Sequence, residues 1–189
     1  MSSGSGDARE RLVAELRSHA LVIGEVTLTS GAKAQYLVDA KRAILLPAGF
    51  AALGELVAQT ARDVGATAVG GLTMGADPIA CAALAGGADV KAFFVRKEAK
   101  QHGLSRSIEG PLLSADDRCL IVEDVVTTGG STIKAIDRVR DAGHQIVGVV
   151  AILDRLAGGA EKIQAAVGDA PYVALTTIDD VYPERPDRA

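Results

Sequence analysis

Cys119-Leu120-Ile121-Val122-Glu123-Asp124-Val125-Val126-Thr127-Thr128-Gly129-Gly130-Ser131-Thr132 is the stretch on which the reading of the whole chain turns. It opens with a short apolar run rich in β-branched residues, the pattern of a strand buried in a parallel sheet. Two carboxylates, Glu123 and Asp124, stand where that strand should end. A loop of small hydroxylated residues and glycines follows. Ile133-Lys134-Ala135-Ile136-Asp137-Arg138-Val139 then resumes with helical spacing. A strand leading through such a loop into a helix aims backbone N–H groups and the positive end of a helix dipole at one spot, which suits a phosphate. The hydroxyls of Thr127, Thr128, Ser131 and Thr132 can add donors there. Carboxylates beside a phosphate cradle repel the anion unless the ligand also brings hydroxyl donors or a metal ion. A sugar phosphate does both. The competing reading is an ordinary βα turn capped by Ser131 or Thr132.

A chain of 189 residues is most simply one domain, large enough to bury a full core. Aromatics make up only 3%, so that core must be built mostly from Ala, Val, Leu and Ile. Lys+Arg 20 against Asp+Glu 24 gives a net charge of −4, which offers no electrostatic case for binding nucleic acid. Any anion site therefore has to come from a local basic cluster. Cys81 and Cys119 lie in apolar segments without metal-ligand spacing, which favours core packing in a reducing cytoplasm. No run approaches the length of a membrane span, and no membrane association is expected. Residues 1–6, Met-Ser-Ser-Gly-Ser-Gly, read as a flexible leader, either native or artificially appended.

Along the chain, Asp7 is placed to cap a first helix that carries Leu12, Val13, Leu16 and Ala20 on one face. Leu21 to Leu28, interrupted at Gly24-Glu25, and Gln35 to Asp39 read as an antiparallel hairpin forming a small hood at about residues 20–40. Pro47 suits the first turn of a helix running to about Asp63. Strands are then expected at Thr67 to Gly71, Val90 to Val95, the Cys119 run, Gln145 to Leu153 and Tyr172 to Thr177. Helices are expected from Pro78, after Ser131, and near Glu161 to Val167. Strands alternating with helices predict a mostly parallel sheet covered on both faces, with ligands at the carboxyl ends of the strands.

Arg96-Lys97-Glu98-Ala99-Lys100-Gln101-His102-Gly103-Leu104-Ser105-Arg106 is the concentrated positive segment, and it follows directly on the Val90 to Val95 strand. Most charge runs are solvated turns. This one comes off a strand at the ligand-binding edge and has no apolar periodicity to anchor it. A mobile loop over about residues 96–110 is therefore expected. Cations brought in on such a loop suit a diphosphate leaving group, which develops several negative charges.

The apolar strand, Glu123-Asp124, and Thr127 to Thr132 together resemble the phosphoribosyl-pyrophosphate (PRPP) motif of type I phosphoribosyltransferases. Phe94 to Gly103 with Ile108-Glu109-Gly110 narrows this further, since the segment is similar to the catalytic loop of the orotate phosphoribosyltransferase family. The likeness extends through Gly24 to Leu28, Ser30-Gly31, Gly70-Gly71-Leu72, Pro78-Ile79-Ala80 and Leu153-Asp154-Arg155, and so covers most of the chain. It implies the type I phosphoribosyltransferase fold in a single domain, 1–189, with an N-terminal hood. It also implies transfer of phosphoribosyl from PRPP to orotate with Mg²⁺ held mainly by substrate oxygens, in a homodimer whose catalytic loop is shared between subunits.

By the same resemblance, Arg96, Lys97, Lys100 and His102 contact the pyrophosphate, with Lys100 the leading catalytic cation. Glu123 and Asp124 hold the ribose hydroxyls. The backbone of Val125, Val126, Thr127, Thr128, Gly129, Gly130 and Ser131 cradles the 5′-phosphate, while Thr127 and Arg155 hold orotate. An internal pair with Asp154 is the plain alternative for Arg155, and a solvated loop position for His102. Some members of the family carry lysines where this chain has Thr29 and Gly75. Lys33 lies near the first gap without aligning to it. The competing functions are a purine-base phosphoribosyltransferase, a nucleic-acid-binding regulator on the same fold, and another nucleotide-binding module. The last is weakened because Gly-x-Gly-x-x-Gly and the Gly-Lys-Ser/Thr ending are both missing.

Overall fold

The computed structural model describes residues 3–27, 33–98 and 107–188. Helix α1 (Ser3–Glu15) passes through one π turn (Leu16–Ala20) into the hairpin β1 (Leu21–Thr27) and β2 (Lys33–Val38). The helix thus starts inside the stretch read as a leader. Asp7 lies within it rather than at its cap, and its carboxylate accepts from Arg11 one turn on at 3.1 Å. The hairpin is antiparallel, as expected, and forms a sheet of its own. Its register shifts between Ile23 and Val26, where Gly24 sits at φ +130°. That bulge is the physical content of the interruption read at Gly24-Glu25.

A short helix α2 (Lys41–Ile44), which the sequence reading did not contain, joins the hood to α3 (Pro47–Asp63), with Pro47 in the first turn of α3. There follow β3 (Ala68–Leu72), α4 (Asp77–Ala85), β4 (Lys91–Val95), β5 (Ile108–Glu109) and β6 (Arg118–Val126). Helix α5 (Gly130–Asp141), β7 (Gln145–Asp154), α6 (Gly159–Val167), β8 (Tyr172–Thr177) and α7 (Ile178–Val181) complete the described chain. The sheet order is β5-β4-β3-β6-β7-β8, parallel throughout except for β5, which runs antiparallel to β4. Ile108 and Glu109, just beyond the basic segment, are therefore stitched to the sheet edge through Phe94↔Glu109 and Val95↔Ile108, although the sequence shows no anchor there.

Strand β6 shows how the core organises the site. Its even residues, Leu120 and Val122, pack into one apolar cluster with Leu53 and Ile79; its odd residues, Cys119 and Ile121, pack into another with Ile136 and Ile163. Each of these fully buried aliphatic side chains contributes about 1.5–3 kcal/mol. At the amino ends of the strands, buried Asp117 accepts from Thr67 at 2.9 Å, Lys91 at 2.7 Å and the Ser114 N–H at 2.6 Å, tying β3, β4 and β6 together. At the other end β6 overruns β3, because their pairing stops at Gly70↔Ile121 while β6 continues beside β7 to Val126↔Asp154. Glu123 and Asp124 thus lie within the strand rather than at its end. Alternation sends them to opposite faces of the sheet.

Candidate functional site

The loop after β6 turns into α5 at Gly129, whose φ of +80° would strain any residue with a Cβ. Gly129 is the N-cap, so no side chain caps this helix, and the capping read for Ser131 or Thr132 is not realised. Thr132 turns inward instead, its hydroxyl donating to Glu123 at 3.1 Å. The uncapped first turn faces a cavity of about 120 Å³ walled by Glu123 and by Val125 through Thr132. Among the described residues no cationic side chain lines it, so backbone N–H groups and hydroxyls are its donors.

Opposite faces give the two acids different surroundings. Glu123 is only 6% exposed. Burial pushes its carboxyl up to about 8, and the neighbouring charge of Asp124 adds to the rise. Asp124 accepts its following backbone N–H at 2.9 Å and the Lys41 ammonium at 2.9 Å. Lys41 also pairs with Asp39 at 2.9 Å. Burial works to lower the Lys41 pKa, and the bonds to Asp124 and Asp39 outweigh it and hold the group above its ordinary value. Gly75 backs this arrangement, since a Cβ there would stand 2.5 Å from an Asp124 carboxylate oxygen. A second cavity, of about 270 Å³, is lined by Lys41, Gly75, Lys97, Glu123, Asp124 and Ser131 among others. The two cavities share Glu123 and Ser131 as a common wall.

Of the loop cations, Arg96 pairs with Glu109 at 3.2 Å and Lys97 lines the larger cavity, while the Lys97 carbonyl accepts from Arg138 at 3.0 Å. Lys100 and His102 lie outside the described residues, as does Thr29. Lys33 is engaged away from the acids, with Glu25 at 2.8 Å. Arg155 does not pair with Asp154, which instead takes the Tyr172 hydroxyl at 2.8 Å and the Leu156 N–H at 2.7 Å. The backbone of Arg155 is tied to Val126 at 2.8 Å, beside Thr127. Its guanidinium lies over the Tyr36 ring, 4.6 Å from the centroid, and donates to the Tyr36 hydroxyl at 2.7 Å. That hydroxyl donates onward to Asp187 at 3.0 Å, and Asp187 also lies 3.6 Å from the guanidinium. The Arg155 Nε is buried with no partner among the described residues. Lys41, Tyr36 and Asp187 escaped the sequence reading, because no local pattern marks them.

Among the described residues no group of three or more His, Cys, Asp or Glu could hold a metal ion, and no helix is long and apolar enough to cross a membrane. A cavity of about 550 Å³ lies by Ile108, Leu112, Arg138 and His144, and neither acid of the pair nor any residue of the Thr127–Thr132 loop lines it.

A parallel sheet with a hood and a strand–acid pair–glycine-rich loop–helix unit at its carboxyl edge is the architecture of a phosphoribosyltransferase. The sequence profile of the phosphoribosyl transferase domain matches residues 43–170. Orotate phosphoribosyltransferase of Corynebacterium glutamicum is 46% identical over 184 residues, which is 96% of this chain and 98% of that protein. The crystal structure of Mycobacterium tuberculosis orotate phosphoribosyltransferase with Fe(III) dicitrate superposes with a TM-score of 0.83 at 40% identity, covering 93% of this chain and 99% of that one. The same mycobacterial enzyme in complex with PRPP gives a TM-score of 0.75 at 34% identity, over 93% and 92% of the two chains. The chain belongs to the orotate phosphoribosyltransferase family.

Proposed function

We propose that the chain transfers the phosphoribosyl group of PRPP to orotate, yielding orotidine monophosphate and pyrophosphate for pyrimidine synthesis. The observation that carries this reading is the placement of Glu123 in the wall common to two cavities, the smaller lined by the loop into α5 and the larger by Asp124, Lys41 and Lys97. In this reading the uncapped turn of α5 receives the 5′-phosphate, Glu123 and Asp124 take the ribose hydroxyls, and the diphosphate extends toward Lys97 and the basic loop. Arg155 meets the orotate carboxylate, to which a planar guanidinium with an unpartnered Nε is matched. Thr127 stands next to that position.

Catalysis is then positioning plus electrostatics. The anomeric bond to the diphosphate breaks, positive character builds on the ribose, and the orotate nitrogen forms the new bond. Arg96, Lys97, Lys100 and His102 neutralise the departing charge and exclude water as the loop closes. Mg²⁺ would be held mainly by oxygens of PRPP, with the Asp124 carboxylate beside it as a hard oxygen donor, and when bound it would supply further charge neutralisation to the leaving group. We further infer a homodimer whose loop closes over the partner's site, and a cytoplasmic setting consistent with the free thiols of Cys81 and Cys119.

The deciding assay follows orotate consumption with PRPP, with and without Mg²⁺, and with purine bases offered in its place. Turnover of orotate alone, dependent on Mg²⁺, is expected. A preference for a purine base would assign the site to a different phosphoribosyltransferase, and salt-sensitive nucleic-acid binding without turnover would make the chain a regulator.

A further inference from the structure

Lys41 has no part in the roles assigned so far, yet it opens the helix that joins the hood to α3 and lines the larger cavity. The two cavities differ in the donors they present. The smaller one offers backbone N–H groups and hydroxyls, whereas the larger presents two ammonium groups, those of Lys41 and Lys97. A diphosphate carries more charge than a phosphate monoester and is better matched by cations. An ammonium has three N–H donors. Two of those on Lys41 reach Asp39 and Asp124, leaving one for a ligand.

The doubling of carboxylates is informative. One acid would suffice if Lys41 only pinned Asp124. Asp39 gives the ammonium a second anchor, reinforced because its carboxylate also accepts the Lys41 backbone N–H at 3.3 Å. Lys41 therefore stays charged and in place when Asp124 turns to a sugar hydroxyl. The bare face of Gly75 leaves Asp124 within its reach.

We propose that Lys41 is a diphosphate-binding residue, a cation held ready by Asp39 that contacts the PRPP leaving group beside Lys97. This deepens the function proposed above and rests on it. The test uses the full chain and calorimetric titration with three probes: PRPP, pyrophosphate and ribose 5-phosphate, each with Mg²⁺. For Lys41→Met, Kd for PRPP and for pyrophosphate should rise about tenfold or more, while ribose 5-phosphate stays within about twofold. Lys41→Arg should recover most of the loss. In steady state the KM for PRPP should rise while that for orotate does not.

Unchanged PRPP and pyrophosphate binding would reduce Lys41 to an ion-pair staple and overturn the proposal. Equal weakening of all three probes would overturn it too, since Lys41 would then act through Asp124 on the ribose. Should Lys41→Met fail to fold, Lys41→Gln takes its place with the same readings. A wild-type chain that binds no PRPP refutes the parent function, whereas normal wild-type binding with an unaffected variant refutes the role of Lys41 alone.

Discussion

Replacing Glu123 by Gln should stabilise the empty protein by an amount that grows as pH rises from about 4.5 to about 8. Glu123 is 6% exposed and its carboxyl is pushed from the ordinary 4.5 up to about 8, first by burial and then by Asp124. Between those two pH values the folded chain binds a proton that the unfolded chain has lost. Stability therefore declines as pH rises across that window and levels off above it. A gap of about 3.5 units at about 1.36 kcal/mol each sets a ceiling near 5 kcal/mol. Asp124 and the cavity beside it can relax, so about 2 kcal/mol is the working figure. Gln keeps the shape, still accepts the Thr132 hydroxyl and never ionises. Melting of ligand-free protein should then be nearly unchanged at about pH 5 and raised by roughly 4–8 °C at about pH 9, on the scale for a chain of this size. The same variant should bind PRPP more weakly. Equal shifts at both pH values, or destabilisation at the higher one, would refute the claim that a buried proton is held at this position.

Asp187→Asn should lower the KM for orotate several-fold with little effect on that for PRPP, because a competing carboxylate 3.6 Å from the Arg155 guanidinium is removed; a KM that rises would mean that the tail helps to build the base site. Lys100→Ala should cut turnover by at least about a hundredfold while leaving the fold and melting temperature intact, and an unchanged steady-state rate would take the loop out of the mechanism. Mixing that variant with Arg155→Ala should restore part of the activity through hybrid dimers that keep one intact site. No rescue despite demonstrated subunit exchange would contradict a shared loop.

The long elements were legible because their periodicity is strong. The Cys119 run, the Pro47 helix and the Tyr172 strand appear where apolar alternation and helix punctuation put them. Short elements escaped: α2 and α7 have four residues each and β5 has two, too few to show a period. Asp7 resembled a cap because an acid before an apolar stripe usually is one, but the helix already begins at Ser3 and Asp7 pairs with Arg11 one turn on.

At the site, the Thr127–Thr132 loop and the acid pair were readable as one contiguous motif. Their different surroundings were not, since the end of β6 is set by its partner strand β7 and not by its own residues. The partners of the acids and of Arg155 are tertiary. Lys41 lies 83 residues from Asp124, and Tyr36 lies 119 from Arg155 and 151 from Asp187. No spacing rule reaches across such separations; only the folding of the hood onto the sheet edge brings them together.

A crystal structure of the chain with PRPP and Mg²⁺ tests the central claim most directly. The account predicts the 5′-phosphate in the Thr127–Ser131 loop, the ribose hydroxyls on Glu123 and Asp124, and the diphosphate between Lys41 and Lys97. PRPP seated instead in the recess by Ile108, Arg138 and His144, with the acid pair untouched, would contradict it.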